Sequence, residues 1–126
     1  MIIAGMFNAI MDTLSFHYNK SIFLKYPKYE NFLNPEKSWL NKYKNNYRAL
    51  GPKFFGSTTF LVWITDLWHL SKMIMIVSFI LGIVFYNPII ITGHMFWDIL
   101  INLGLSYIPF GLSFGLFWNK ILKIKK

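Results

Sequence analysis

Three pairs of residues in this chain set an imidazole near a carboxylate within apolar sequence: Asp12 with His17, Asp66 with His69, and His94 with Asp98. With only three histidines and five acidic residues present, every histidine has an aspartate nearby, and Glu30 and Glu36 alone fall in polar surroundings. Imidazole plus carboxylate suits zinc, iron or manganese, and a divalent ion would offset the cost of placing charge in an apolar setting. A water on such an ion is activated for hydrolysis. The same pair is equally a structural hydrogen bond that locks two helices, or a proton relay without metal.

What these groups can do depends on the elements that hold them. Asp66 and His69 are three apart and His94 and Asp98 four apart, so each pair shares a helical face. Asn102 continues the second stripe. Asn8, Asp12 and Ser15 form another, extended by Gly5, where a neighbouring helix can approach closely. His17 lies about 140° off the Asp12 face in an ideal helix, and joins it only where that helix ends or distorts. Lys72 follows His69 by three residues and has two ordinary uses, a salt bridge to Asp66 or snorkelling to a membrane interface.

The surrounding sequence is that of an all-α integral membrane helical bundle. Hydrophobic residues make up 55% of the 126 residues and charged residues only 14%, and the apolar residues are gathered in three long blocks. A single membrane domain over 1–126 is expected, with spans at about 2–18, 58–86 and 89–118, an interfacial loop at 19–56 and a basic tail at 119–126. The first block lacks a basic start and a small-residue cleavage site, and Asn8 and Asp12 interrupt it, which argues against a cleaved signal peptide. Ser57, Thr58 and Thr59 are placed to cap a central helix running from Ser57 to Tyr86, roughly 45 Å long and therefore tilted or projecting. Asn87 and Pro88 leave room for a tight turn. Pro109 should kink or break the third helix, and Gly111 with Gly115 forms a GxxxG packing surface.

The loop at 19–56 carries Lys20, Lys25, Lys28, Lys37, Lys42, Lys44, Arg48 and Lys53 against Glu30 and Glu36, interleaved with aromatic residues. That mixture suits the headgroup layer and an anionic lipid surface. Asn34 followed by Pro35 marks a helix start, and a short interfacial helix from about Pro35 to Tyr47 is expected. The loop and the Lys120–Lys126 tail, both basic, belong on the cytoplasmic side of the inner membrane, with the turn at Asn87 and the N-terminus outside. The net charge of +8 comes with no groove-reading motif, so nucleic acid is not expected as a partner. There is no cysteine, which excludes disulfides and thiolate chemistry. Phosphate-loop, nucleophile-elbow and HExxH patterns are also missing.

In that topology Asp12, His17, Asp66 and His69 lie towards the inner leaflet, while His94, Asp98 and Asn102 form a separate stripe towards the outer one. The inner set is the candidate metal site, with Asp66, His69 and Lys72 as candidate catalytic residues. Asn8 and Thr65 are further candidates. The strings AGMFNAIMDTLSFHYNKSIF, SWLNKYKN and FFGSTTFLVWITDLWHLSKM resemble a group of small, uncharacterised bacterial and phage membrane proteins, over about the first three-fifths of the chain. That resemblance implies a membrane protein with a polar motif and carries no activity. Three functions are open: metal-assisted chemistry on a lipid-like substrate with an anionic headgroup, a non-enzymatic subunit joined to other subunits or to itself through Gly111 and Gly115, and a small holin-like pore-former.

Overall fold

The computed structural model describes residues 1–86 and 88–124. Asn87, expected to help form the outer turn, and Lys125 and Lys126 of the basic tail lie outside the described residues. Regular structure is helical: α1 (Ile2–Phe16), α2 (Glu30–Leu33), α3 (Pro35–Ser38), α4 (Leu67–Val84) and α5 (Met95–Leu116), with short 3₁₀ turns between them. Extended pairing among the described residues is limited to isolated bridges, Ser21 with Lys123 and Tyr43 with Pro52.

α4 and α5, the latter continued by a π-helical turn Phe117–Ile121, are long and apolar enough to cross a membrane. α1 has 15 residues, which at 1.5 Å each reach only about 22 Å. It packs between the two longer helices. Its buried face is Ala4, Gly5, Ala9, Thr13 and Leu14, of which all but Leu14 are small enough to let both neighbours close in. Gly5 is where α5 comes nearest: a methyl group there would overlap the Phe110 carbonyl and Ser113 Oγ. Met1 touches Gly82 and Ser15 accepts a hydrogen bond from Trp68, so α1 runs antiparallel to α4. Gly5 against Phe110 and His17 against Trp118 show that it runs alongside α5 in the same direction. α4 and α5 meet at Phe79 and Phe110, whose ring centroids are 5.8 Å apart.

The far end of the bundle is closed by the tail. Ile22 N–H donates to Leu122 O at 2.8 Å and Ile124 N–H to Lys20 O at 3.0 Å. Buried apolar residues are few: Ala4, Ala9, Leu14 and Leu122. Large apolar side chains of α4 and α5 stand exposed, among them Ile80, Ile83, Leu103, Ile108 and Leu112.

The central helix is shorter than its sequence suggests. It begins at Leu67, and Ser57 to Asp66 forms turns and a 3₁₀ segment at Val62–Ile64. Ser57, Thr58 and Thr59 therefore do not cap it. Ser57 is buried in the loop, where its hydroxyl donates to Lys42 O at 2.8 Å. The cap is Asp66, whose carboxylate accepts the His69 N–H at 2.9 Å, so the chain gains its first helical turn only there. The third helix starts at Met95 rather than Ile89, and it continues through Pro109 without breaking. Asn34 caps α3 as expected, accepting the Glu36 N–H at 3.0 Å with Pro35 in the first turn. The expected helix to Tyr47 stops early. It passes into a 3₁₀ turn at Trp39–Lys42, and the extended Tyr43 then pairs with Pro52. Left-handed backbone at Asn45, Asn46 and Gly51, residue types that tolerate positive φ, turns the chain back on itself.

Candidate functional site

The strap from Val62 to Asp66 leads into the only close His–carboxylate contact among the described residues, Asp66 with His69. Asp66 is 1% exposed and sits in extended backbone immediately before α4. One of its oxygens takes the His69 amide at 2.9 Å, and the other lies 2.7 Å from His69 Nδ1. The Thr65 hydroxyl is 3.1 Å from that second oxygen and 2.7 Å from Val62 O. Asn41, reaching over from the basic loop, donates to Thr65 O at 3.0 Å and anchors the strap from outside. With Asp66 ionised, the short Nδ1 contact places the ring proton on Nδ1 and leaves Nε2 as a lone-pair acceptor.

His69 and Lys72 line one cavity of about 280 Å³, together with Val62, Trp63, Met73, Ile76 and Val77. Lys72 does not salt-bridge Asp66. Its ammonium stands 5.2 Å from the centroid of Trp68, a cation–π arrangement within the first turns of α4. Trp68 is itself fixed by its N–H donation to Ser15 Oγ at 3.0 Å, so α1 steadies the wall beside His69.

The remaining predicted site residues are placed elsewhere. Asp12 is half-buried on α1, and no hydrogen bond joins it to His17. His17 ends α1 and turns its ring edge-on to Trp118 at 4.8 Å. Among the described residues no three histidine or acidic side chains converge as metal ligands, so Asp66 and His69 are brought together without Asp12 or His17. The stripe of His94, Asp98 and Asn102 has a different task. Asp98 Oδ1 accepts the N–H groups of Ile91 and Thr92 at 3.0 and 2.8 Å and the Thr92 hydroxyl at 3.0 Å. Asn102 accepts from Ile89 N–H at 3.0 Å and donates to Ile89 O at 2.8 Å. Together they lash the segment after Pro88 onto α5. His94 is exposed and precedes α5, with its N–H bonded to Thr92 Oγ1 at 3.1 Å.

Two contributors were not apparent from the sequence. Asn41 is an unremarked loop amide until the fold carries it to Thr65, 24 positions away. Trp68 looks like one more interfacial aromatic, although its place two residues after Asp66 puts it on the α1 side of the helix start. Comparisons with protein-family models, curated proteins and solved structures find no match for this chain.

Proposed function

We propose that this chain is an integral membrane protein, with α1 as a short third membrane segment beside α4 and α5, whose Asp66–His69 dyad handles a proton on a lipid-like substrate. The exposure of α4 and α5 supports the membrane setting, since apolar faces of that extent are unfavourable in water. The basic loop and tail share one end of the bundle, which fits a cytoplasmic face at the inner membrane. The dyad then lies near the inner headgroup layer, where Lys72 attracts an anionic group and the apolar cavity wall takes hydrocarbon.

The observation that carries this is the His69 ring, held by a buried carboxylate at 2.7 Å while it lines the same cavity as Lys72. A buried carboxylate on Nδ1 fixes the tautomer and steadies the imidazolium that forms when Nε2 takes a proton. With both Asp66 oxygens engaged, only His69 Nε2 is left for a zinc, iron or manganese ion, so metal-assisted chemistry would draw its remaining ligands from water or substrate. The test is turnover of acyl- and phosphoryl-lipids by the protein in nanodiscs. Asp66→Asn keeps a capping oxygen while removing the negative charge beside His69, and should lower the rate by about 10² or more. An Asp66→Asn protein as active as the wild type would overturn the dyad.

A second function is supported by α5. A methyl group at Gly115 would meet nothing within 4 Å, and one at Gly111 only Tyr107 at 3.8 Å. That GxxxG surface is therefore free for a second membrane helix, as in a non-enzymatic subunit of a larger complex. Absence of turnover together with a stoichiometric co-purifying membrane partner would favour it.

A further inference from the structure

The loop at 19–56, with Ile64 and Thr65 of the strap, lines a second, open cavity of about 450 Å³ that shares no residue with the one beside His69. Lys28 and Lys53 line it, with Asn31, Asn46, Tyr29 and Phe54, and no acidic residue contributes to its wall. The one acid next to it in sequence, Glu30, is paired with Lys37 at 2.8 Å and does not line the cavity. Neither Lys28 nor Lys53 has a carboxylate partner among the described residues. The side-chain amides of Asn31 and Asn46 likewise make no hydrogen bond there, which leaves their donors available.

Local structure places both residues at the cavity. The Lys28 ammonium stands 5.8 Å from the Tyr29 ring centroid. Lys53 is fixed through its backbone, which donates to Lys42 O at 2.9 Å where the chain folds back at Tyr43 and Pro52. The left-handed conformation of Asn46 sets that residue at the rim.

From this acid-free cluster we infer that the cavity binds a phosphate monoester or diester, with Lys28 and Lys53 as its cations and the Asn31 and Asn46 amides as neutral donors. Two lysines and free amides match a tetrahedral anion, which accepts several hydrogen bonds at once and attracts ammonium groups as point charges. Tyr29 and Phe54 give the ester carbon an apolar wall. The phosphate belongs either to an anionic lipid headgroup or to a soluble phosphate ester. The site is separate from the dyad and stands or falls without it.

The test uses the full chain purified in uncharged detergent and titrated calorimetrically with dihexanoyl phosphatidic acid, glycerol 3-phosphate and dihexanoyl phosphatidylcholine. Lys28→Gln/Lys53→Gln should weaken phosphatidic acid binding by about tenfold or more, and Lys28→Arg/Lys53→Arg should retain it. The control Lys20→Gln/Lys25→Gln removes equal charge from the same loop and should change binding by less than about twofold. Helical circular dichroism of each variant checks folding, and the single Lys53→Gln substitution serves if the double one loses helix. Binding of both phosphate compounds places the recognition in the phosphate alone, whereas binding of phosphatidic acid only assigns a lipid headgroup. Equal loss in the control would reduce the effect to general loop charge and overturn the site, as would binding of none of the three, or of phosphatidylcholine as tightly as phosphatidic acid.

Discussion

Trp68 donates its indole N–H to Ser15 Oγ at 3.0 Å across 53 positions of sequence, linking the end of α1 to the start of α4. A neutral hydrogen bond of this kind contributes about 0.5–1.5 kcal/mol. Trp68→Phe and Ser15→Ala should each lower the thermal midpoint in detergent by a few degrees. The double variant should be little worse than either single one, since both remove the same bond.

Gly5 and Gly115 predict opposite outcomes for the same change. Gly5→Ala forces a methyl group into the Phe110 carbonyl and Ser113 Oγ, and should destabilise the bundle by about 1–3 kcal/mol. Gly115→Ala meets open space, and should leave the isolated chain as stable as wild type or more stable by up to about 1 kcal/mol, since alanine is the better helix former. Denaturation of both variants in one detergent checks the contrast. If Gly115→Ala instead removes a complex that wild type forms, the GxxxG face is an interface.

Asp98 and Asn102 should behave as fasteners for the segment between the long helices. Asp98→Ala removes the acceptor for Ile91 and Thr92, and Asn102→Ala frees Ile89. Hydrogen exchange at those amides should accelerate in the variants, while exchange in α1 stays unchanged.

Glu30 gives the basic loop an acid sensitivity. The Lys37 ammonium, with help from the Asn34 amide, holds the Glu30 carboxyl below its ordinary value of 4.5. A group with a lowered folded value stabilises above its unfolded value, and that contribution is lost as pH falls through the lowered one. Order around Glu30 to Ser38 should therefore persist at neutral pH and weaken below about 4.5. Lys37→Ala should move the Glu30 titration back towards 4.5 by NMR, and salt should shrink the difference because the pair is exposed.

The sequence made local features plain and long-range ones obscure. Asn34 and Pro35 announce the start of α3 because a cap and its first turn are a matter of a few adjacent residues. The apolar runs of α4 and α5 are visible because length and composition alone define them. Asp66 was harder. Among large hydrophobes an aspartate suggests chemistry, yet its first effect is to begin a helix, and the periodicity upstream of it belongs to turns. The polar stripe of Asn8, Asp12 and Ser15 also drew attention from the face that packs, Ala4, Gly5, Ala9 and Thr13. Small residues at fourfold spacing were the available clue. The pairing of Asn41 with Thr65 had none, since it depends on how the whole loop folds back.

The strand-like contact between Lys20–Ile22 and Leu122–Ile124 has a mechanical consequence. It fastens α1 and α5 at the loop end, as the spring of a clothes-peg holds its two arms. At the opposite end Met1, Gly82 to Tyr86 and Met95 to Ser106 border a space of about 580 Å³. There the hydrogen bonds of Asp98 and Asn102 hold the connection from α4 onto α5, so each end of the bundle has its own tie and α5 takes part in both.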